Sequence, residues 1–316
     1  MKDIKTLGID LAKNIFQLHG NDAAGRVVYR KRVRRSELAQ TLAKLKPCLI
    51  GMEACGGAHH WARTFQAMGH TVKLISPQFV KPYVKSNKTD RNDAQAIAEA
   101  ITRPGMRFVS VKTTEQQDIL LIHRARERLI RARTSQANHI RGLLQEYGIV
   151  IPKGIHHIRK HLPDLCDMTH TALSEQAKEI FIEAFESLIH LDEHIKRHDQ
   201  RLMIIAKQDE RCKLLMEIDG VGALTASAAI ATIGDPKSFK RGREVSAWLG
   251  LVPRQHSSGD KIRLGGISKR GDRYLRTLLI HGARSVVKVC SNKESQRHRW
   301  LSDKKERAGY NKAAVA

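Results

Sequence analysis

The chain has no apolar stretch long enough to cross a membrane, and its N-terminus lacks the apolar core of a signal peptide, so a soluble, cytoplasmic protein is expected. Cysteines are few. The five, at positions 48, 55, 166, 212 and 290, show neither the paired spacing of a disulfide framework nor a zinc pattern, which points to reduced thiols. The cluster Cys55, His59 and His60 lacks the second ligand pair a zinc site needs. The most telling shortage is of acid: 32 Asp and Glu stand against 56 Lys and Arg, for a formal charge of +24 and a pI near 10.1. An enzyme of small acidic substrates rarely needs such a surplus, whereas on a nucleic acid each cation set on a phosphate releases a condensed counterion.

At 316 residues and 41% hydrophobic content the chain is globular and long enough for two or three domains. Its charge is uneven. Residues 1–105 carry 18 basic and 8 acidic side chains (net +10), residues 106–212 carry 17 and 15 (net +2), and residues 213–316 carry 21 and 9 (net +12). Two basic modules flanking a nearly neutral middle suggest three domains with those boundaries and two nucleic-acid surfaces held apart by a spacer.

Four carboxylates carry the chemistry. Asp10 closes the apolar run Thr6-Leu7-Gly8-Ile9, and Glu53 closes Cys48-Leu49-Ile50-Gly51-Met52. Asp90 and Asp93, three apart at an apparent helix start, share a face. Alternation predicts strands over residues 4–10, 15–19 and 27–33. A helix from an N-cap at Ser36 to residue 45 follows, then a strand ending at Glu53, a helix over 59–68, a strand over 71–75 and a helix over 90–101. Three meandering strands followed by alternating helices and strands is the order of a ribonuclease-H-like α/β domain, in which the first and fourth strands are neighbours. That would bring Asp10 beside Glu53. Carboxylates so placed suit two divalent ions on a phosphodiester, most simply Mg²⁺, with Mn²⁺ as a substitute.

Beyond residue 105, helical spacing runs over 114–146 and again from 174 to about 218, which suits a helical hairpin or coiled coil, acting either as an intramolecular spacer or as a dimerisation arm. Residues 152–163, rich in His, Lys and Gly, read as a loop. Ile218-Asp219-Gly220-Val221-Gly222 leads into a small-residue helix. It resembles a helix-hairpin-helix element whose Gly220 and Gly222 admit a phosphate, although a ligand-free interhelical turn has the same look. In the last module glycines alternate with Arg254, Lys261, Arg263, Lys269, Arg270, Arg273 and Arg276, a surface able to follow a phosphate backbone. Ser257 and Ser258 lie in its centre, and most Ser-Ser-Gly triplets are simply turns.

Together, Gly8-Ile9-Asp10-Leu11-Ala12-Lys13, Met52-Glu53-Ala54-Cys55-Gly56, Asn87-Lys88-Thr89-Asp90-Arg91-Asn92-Asp93-Ala94, Gly220-Val221-Gly222, Gly250-Leu251-Val252-Pro253-Arg254 with Ser258-Gly259, and Ser268-Lys269-Arg270-Gly271 resemble the DEDD transposases of insertion-sequence family one-ten, nearest its one-one-one-one branch. The pieces occur in order over nearly the whole chain. The resemblance implies a RuvC-like N-terminal domain, a central coiled coil and a mainly α C-terminal transposase domain whose catalytic serine is Ser258 rather than Ser257. It further implies double-stranded DNA as substrate, a noncoding guide RNA that bridges donor and target, a homodimer or homotetramer, and a nucleoid-associated protein. One departure is plain: the family continues with a further helix past Gly309-Tyr310-Asn311-Lys312-Ala313-Ala314-Val315-Ala316, where this sequence stops.

The mechanism expected from these features is attack of Ser258 on a phosphate polarised by ions held on Asp10, Glu53, Asp90 and Asp93, without ATP. Two alternatives remain at this point. One is a metal-dependent endonuclease or Holliday-junction resolvase in which water attacks; the other is an inactive nucleic-acid-binding protein.

Overall fold

The computed structural model describes residues 3–85, 89–167, 172–290 and 295–316, and the chain forms two compact units. The first comprises Met1–Thr114 with Ile233–Asp235, the second Glu115–Thr232 with Pro236–Ala316. The stretch 106–212 is not set apart from the C-terminal module: from residue 115 its helices belong to the second unit.

In the first unit β1 (Thr6–Asp10), β2 (Ile15–Asn21) and β3 (Val27–Arg34) meander antiparallel. The turn between β2 and β3 is closed by the Asp22 carboxylate, which accepts from the backbone N–H of Ala24 and Arg26, both at 2.9 Å. Next come α1 (Arg35–Ala43), β4 (Leu49–Glu53), α2 (Ala58–Ala67), β5 (Thr71–Ile75), α3 (Pro77–Val80), α4 (Asp90–Ala100) and the short β6 (Phe108–Val109). The sheet order is β3-β2-β1-β4-β5-β6, with β4 parallel to β1 and β5 parallel to β4. This is the ribonuclease-H-like arrangement expected. Ser36 is not the cap of α1: Arg34 holds that position, and its N–H donates to the Glu37 carboxylate at 3.4 Å.

The two faces of the sheet are built differently because side chains alternate along a strand. Leu7, Ile9, Phe16, Leu18, Ile50 and Met52 point to one face, where they pack with Leu38 and Leu42 of α1 and Trp61 and Phe65 of α2. Each such aliphatic side chain, fully buried, stabilises the unit by about 1.5–3 kcal/mol. The other face carries glycine where α4 crosses. A Cβ on Gly8 would stand 2.1 Å from the Ala94 carbonyl oxygen, and one on Gly51 would stand 2.4 Å from Cγ2 of Ile101. Helix α4 therefore lies directly on the backbone of β1 and β4, sealed by Ile75, Ile97 and Ile101.

The second unit is mainly helical. Its long helices α5 (Thr114–Glu146) and α7 (Glu175–Gln208) run antiparallel within the chain: Arg126 pairs with Asp199, Arg133 donates to Asp192 at 2.9 Å, and Gln136 donates to the Ala184 carbonyl at 3.1 Å. Between them lies α6 (Ile155–Leu165), where a loop was expected. The His, Lys and Gly content concealed a helical period: Ile158 and Leu162 are buried against Ile140, Leu144, Phe181 and Leu188, with Ile155 and Leu165 beside them. The segment from 174 to 218 is also broken once. Asp209 accepts from the N–H of Arg211 and Cys212 at 2.8 and 3.3 Å and so starts a new helix, α8 (Glu210–Met216).

The remaining elements are α9 (Ala223–Ile233), α10 (Gly242–Trp248), the hairpin β7 (Pro253–Gln255) and β8 (Leu264–Ile267), α11 (Arg273–Val289), α12 (Gln296–Ala308) and α13 (Tyr310–Val315). The last three share a core of Val287, Cys290, Leu301, Ala313 and Ala314.

Candidate active site and nucleic-acid interface

Asp10 and Glu53 end the adjacent parallel strands β1 and β4 one residue beyond the Ile9–Met52 register pair. Each is two residues past a glycine that lies beneath α4, so alternation turns both toward the α4 face. Their convergence shows at Cys55. Burial, then the charges of Glu53 and Asp10, push its thiol above its usual pKa. Both acids are half-buried.

Asp90 and Asp93 lie in the first turn of α4, Asp90 exposed and Asp93 half-buried. The cap of this helix is Thr89, which accepts from the Asn92 N–H at 3.2 Å, so Asp90 is not engaged in capping. Asn87 and Lys88 of the same motif lie outside the described residues. The donors are hard carboxylate oxygens, the chemistry that Mg²⁺ selects. As the side chains stand, no three His, Cys, Asp or Glu among the described residues are gathered closely enough to hold a metal ion. The fold thus unites Asp10 with Glu53, while the two α4 acids stay short of them. His59 is engaged elsewhere, its Nδ1 accepting from the Lys112 N–H at 3.2 Å.

In the second unit the serines occupy the exposed tip of the β7–β8 hairpin. Ser257 and Ser258 differ. The Ser257 hydroxyl accepts from Gln255 Nε2 at 3.1 Å and from the Arg263 N–H at 3.3 Å. The Ser258 hydroxyl makes no hydrogen bond among the described residues, and only its backbone is tied, the carbonyl accepting from the Lys261 N–H at 3.2 Å. Arg254, Lys261, Arg263, Lys269, Arg270 and Arg273 are all exposed around and below this tip.

Arg276 is placed otherwise. It is 8% exposed, and its guanidinium donates to the Leu249 carbonyl at 2.8 Å and the Arg270 carbonyl at 3.4 Å. It ties the end of α10 to the loop before α11 and is therefore a structural arginine rather than part of the phosphate surface. The same junction needs two glycines: a Cβ on Gly250 would stand 2.0 Å from the Arg270 oxygen, and one on Gly271 would stand 1.8 Å from the Trp248 oxygen. Gly220 is likewise engaged inside the protein. At φ +84° it meets Gly282 of α11, where a Cβ would stand 1.9 Å from the Gly220 oxygen, whereas Gly222 has open space around it. The turn between α8 and α9 thus packs on α11 through Gly220, the behaviour of an interhelical turn.

Strand β3 carries Arg30, Arg32 and Arg34 at a two-residue spacing, so the three share one face of the sheet.

The first unit is a ribonuclease-H-like sheet with acids at the ends of β1 and β4. A family model described as a transposase, of the DEDD IS110 kind, matches residues 7–149, and one described as "Transposase IS116/IS110/IS902 family" matches residues 212–299. The chain belongs to this family of insertion-sequence transposases. It is 50% identical over 316 residues to the transposase for insertion sequence element IS1111A of Coxiella burnetii, covering 100% of this chain and 87% of that one. It is 47% identical to a probable family 20 transposase of Pseudomonas aeruginosa, over 99% of this chain and 93% of that one. Among solved structures, T. thermophilus RuvC in complex with a Holliday junction substrate is similar at 13% identity and a TM-score of 0.25, over 33% of this chain and 98% of that one.

Proposed function

We propose that this transposase cuts and rejoins the DNA of its insertion sequence through a covalent bond between Ser258 and a DNA phosphate. The observation that carries the reading is the placement of Asp10 and Glu53 at the ends of neighbouring parallel strands, facing α4 and its acids Asp90 and Asp93. These four are the residues to hold two divalent ions, Mg²⁺ or Mn²⁺, which when bound supply the charge that polarises a phosphodiester. Ser258 Oγ forms a bond to phosphorus, the P–O3′ bond breaks, and the serine proton passes to the leaving oxygen as a free 3′ hydroxyl. The reverse step on an exchanged strand restores the phosphodiester, so no ATP is consumed.

The free hydroxyl of Ser258, beside the occupied hydroxyl of Ser257, supports its assignment as nucleophile. Arg254, Lys261 and Arg263 on the same hairpin supply phosphate contacts. A noncoding guide RNA and an assembly of two or four chains belong to the same reading, supported by the family resemblance and by the +24 charge.

Incubating the chain with end-labelled insertion-sequence DNA and Mg²⁺ tests it. The wild type is expected to leave protein attached to one end of each break, and Ser258→Ala to leave none, while Ser257→Ala retains the adduct. Breaks with bare 5′ phosphates and no adduct in the wild type would establish hydrolysis by water instead. Sequencing the nucleic acid that copurifies tests the guide: a discrete RNA encoded beside the gene is expected.

A further inference from the structure

Beside the carboxylates the sheet carries a second chemistry. Strand register sets two rows across β1, β2 and β3 on the α4 face: Asp10, Gln17, Arg32 and Gly8, His19, Arg30. With Arg91 from the first turn of α4, these residues of β2 and β3 line a cleft of about 280 Å³. Arg30, Arg32 and Arg91 are exposed, and none makes a side-chain ion pair or hydrogen bond among the described residues. Some other cations of the unit do find carboxylates: Arg26 pairs with Asp22, and both Lys85 and Arg103 pair with Glu99. Three converging guanidiniums without a carboxylate repel one another, and an anion relieves that.

The floor of the cleft fits the same need. His19 is 2% exposed, and burial, then Arg30, hold it below its usual pKa, so it adds no charge of its own. The forked donors of arginine match phosphate oxygens in pairs. Neighbouring strands are about 4.8 Å apart, so Arg32 sits two strands, or about 10 Å, from Asp10. A strand with one phosphate at the carboxylates therefore presents its next phosphates to the guanidiniums.

We infer that the Arg30–Arg32–Arg91 cleft is a seat for backbone phosphates of the DNA strand engaged at the Asp10–Glu53 edge. The identity of that strand rests on the transposase reading; the seat itself rests on the cleft. It would act as a sequence-blind clamp that sets how far the strand reaches across the sheet.

The test is a binding measurement that needs no cleavage. The full chain is titrated with a fluorescein-labelled DNA duplex, and with RNA of the same length, at several salt concentrations. The triple variant Arg30→Gln/Arg32→Gln/Arg91→Gln is expected to bind DNA roughly tenfold or more weakly near 0.1 M salt, with the log–log salt slope smaller by about one for each phosphate no longer neutralised. Arg26→Gln, in the turn between β2 and β3 and paired with Asp22, should leave the slope alone. An unchanged slope in a triple variant that melts like the wild type would overturn the inference, as would weaker binding seen with RNA and not with DNA. Because cutting is not read, a wild type that binds but makes no breaks counts against the transposase chemistry while the slope change still supports the seat.

Discussion

The two units present their reactive groups in opposite ways. In the first, Asp10 and Glu53 sit at the ends of paired strands and α4 lies on the bare backbone of Gly8 and Gly51, so the acids are fixed by the core itself. In the second, Ser258 rides on an exposed hairpin secured only at its root, where Gly250 and Gly271 let two backbone segments cross and Arg276 ties the carbonyls of Leu249 and Arg270. On the proposed mechanism the contrast has a use: acids that hold ions must keep their charges together against mutual repulsion, which favours a rigid sheet. A serine that attacks the scissile phosphate and leaves again is, on the same mechanism, better placed on a projecting loop.

That contrast is broken most severely at the acids. On the proposed mechanism Asp10→Asn and Glu53→Gln each remove a carboxylate that would hold the polarising ions, a loss of several kcal/mol corresponding to roughly a thousandfold or more in cutting rate. Thermal melting should be unchanged or slightly raised, because two converging negative charges have become one. Single-turnover cleavage measured alongside melting checks both halves. A variant that cuts normally would remove the residue from the site.

The core under the acids comes next. Gly8→Val forces side-chain atoms into the Ala94 carbonyl, which a Cβ alone already meets at 2.1 Å, and should cost about 3 kcal/mol or more while lifting α4 from the sheet. Gly56→Ala, with open space around it, should fall within about 0.5 kcal/mol of wild type by denaturant titration. In the second unit Arg276→Met should cost about 2 to 4 kcal/mol, because two backbone carbonyls lose a charged donor in a buried place. Arg263→Gln, exposed on the hairpin, should leave melting unchanged and lower only the salt slope of DNA binding. If Arg276→Met instead behaved like Arg263→Gln, the division between structural and phosphate-facing arginines would be wrong.

The same division explains what the sequence disclosed. Strands β4 and β5 were legible because short apolar runs end at Glu53 and Ile75, and the start of α4 because Asp90 and Asp93 stand three apart at the head of a helical run. Asp10 and Glu53 were legible because each closes an apolar run, a local signal. Apart from the β1–β4 pairing that the order of elements implied, contacts over long separations were not. Nothing near Gly220 names Gly282 as its neighbour, and nothing near Arg276 distinguishes it from Arg273, although one is buried on carbonyls and the other faces solvent. Helix α6 was hidden by composition, since Pro152, Gly154 and its histidines weigh toward a loop while Ile158 and Leu162 find their partners on α5 and α7. The hairpin bearing Ser258 gave no alternation at all, because the exposed residues of β7 and β8 have no core face to advertise.

A subtler effect, one that appears only as pH falls, concerns how the second unit is held together inside. His123 of α5 is 1% exposed and joins three helices, its Nδ1 3.0 Å from the Tyr274 hydroxyl of α11 and its Nε2 3.0 Å from Ser227 Oγ of α9. Burial, and then the neighbouring Arg126, lower its pKa from 6.5 to about 4. The unfolded chain therefore takes up this proton first as pH falls. The contribution of neutral His123 is fully present above about pH 6.5, declines between there and pH 4, and is gone below. At pH 5.5 the loss from this residue alone is on the order of 1 kcal/mol. His123→Gln, which keeps a donor and an acceptor but does not titrate, should lower stability at pH 7.5 and flatten its fall between pH 6.5 and 5. Denaturant titration at both ends of that window reads the difference. An acid slope as steep in His123→Gln as in the wild type would mean that another group carries it, and that the α5–α9–α11 junction is no more acid-sensitive than the sheet bearing Asp10 and Glu53.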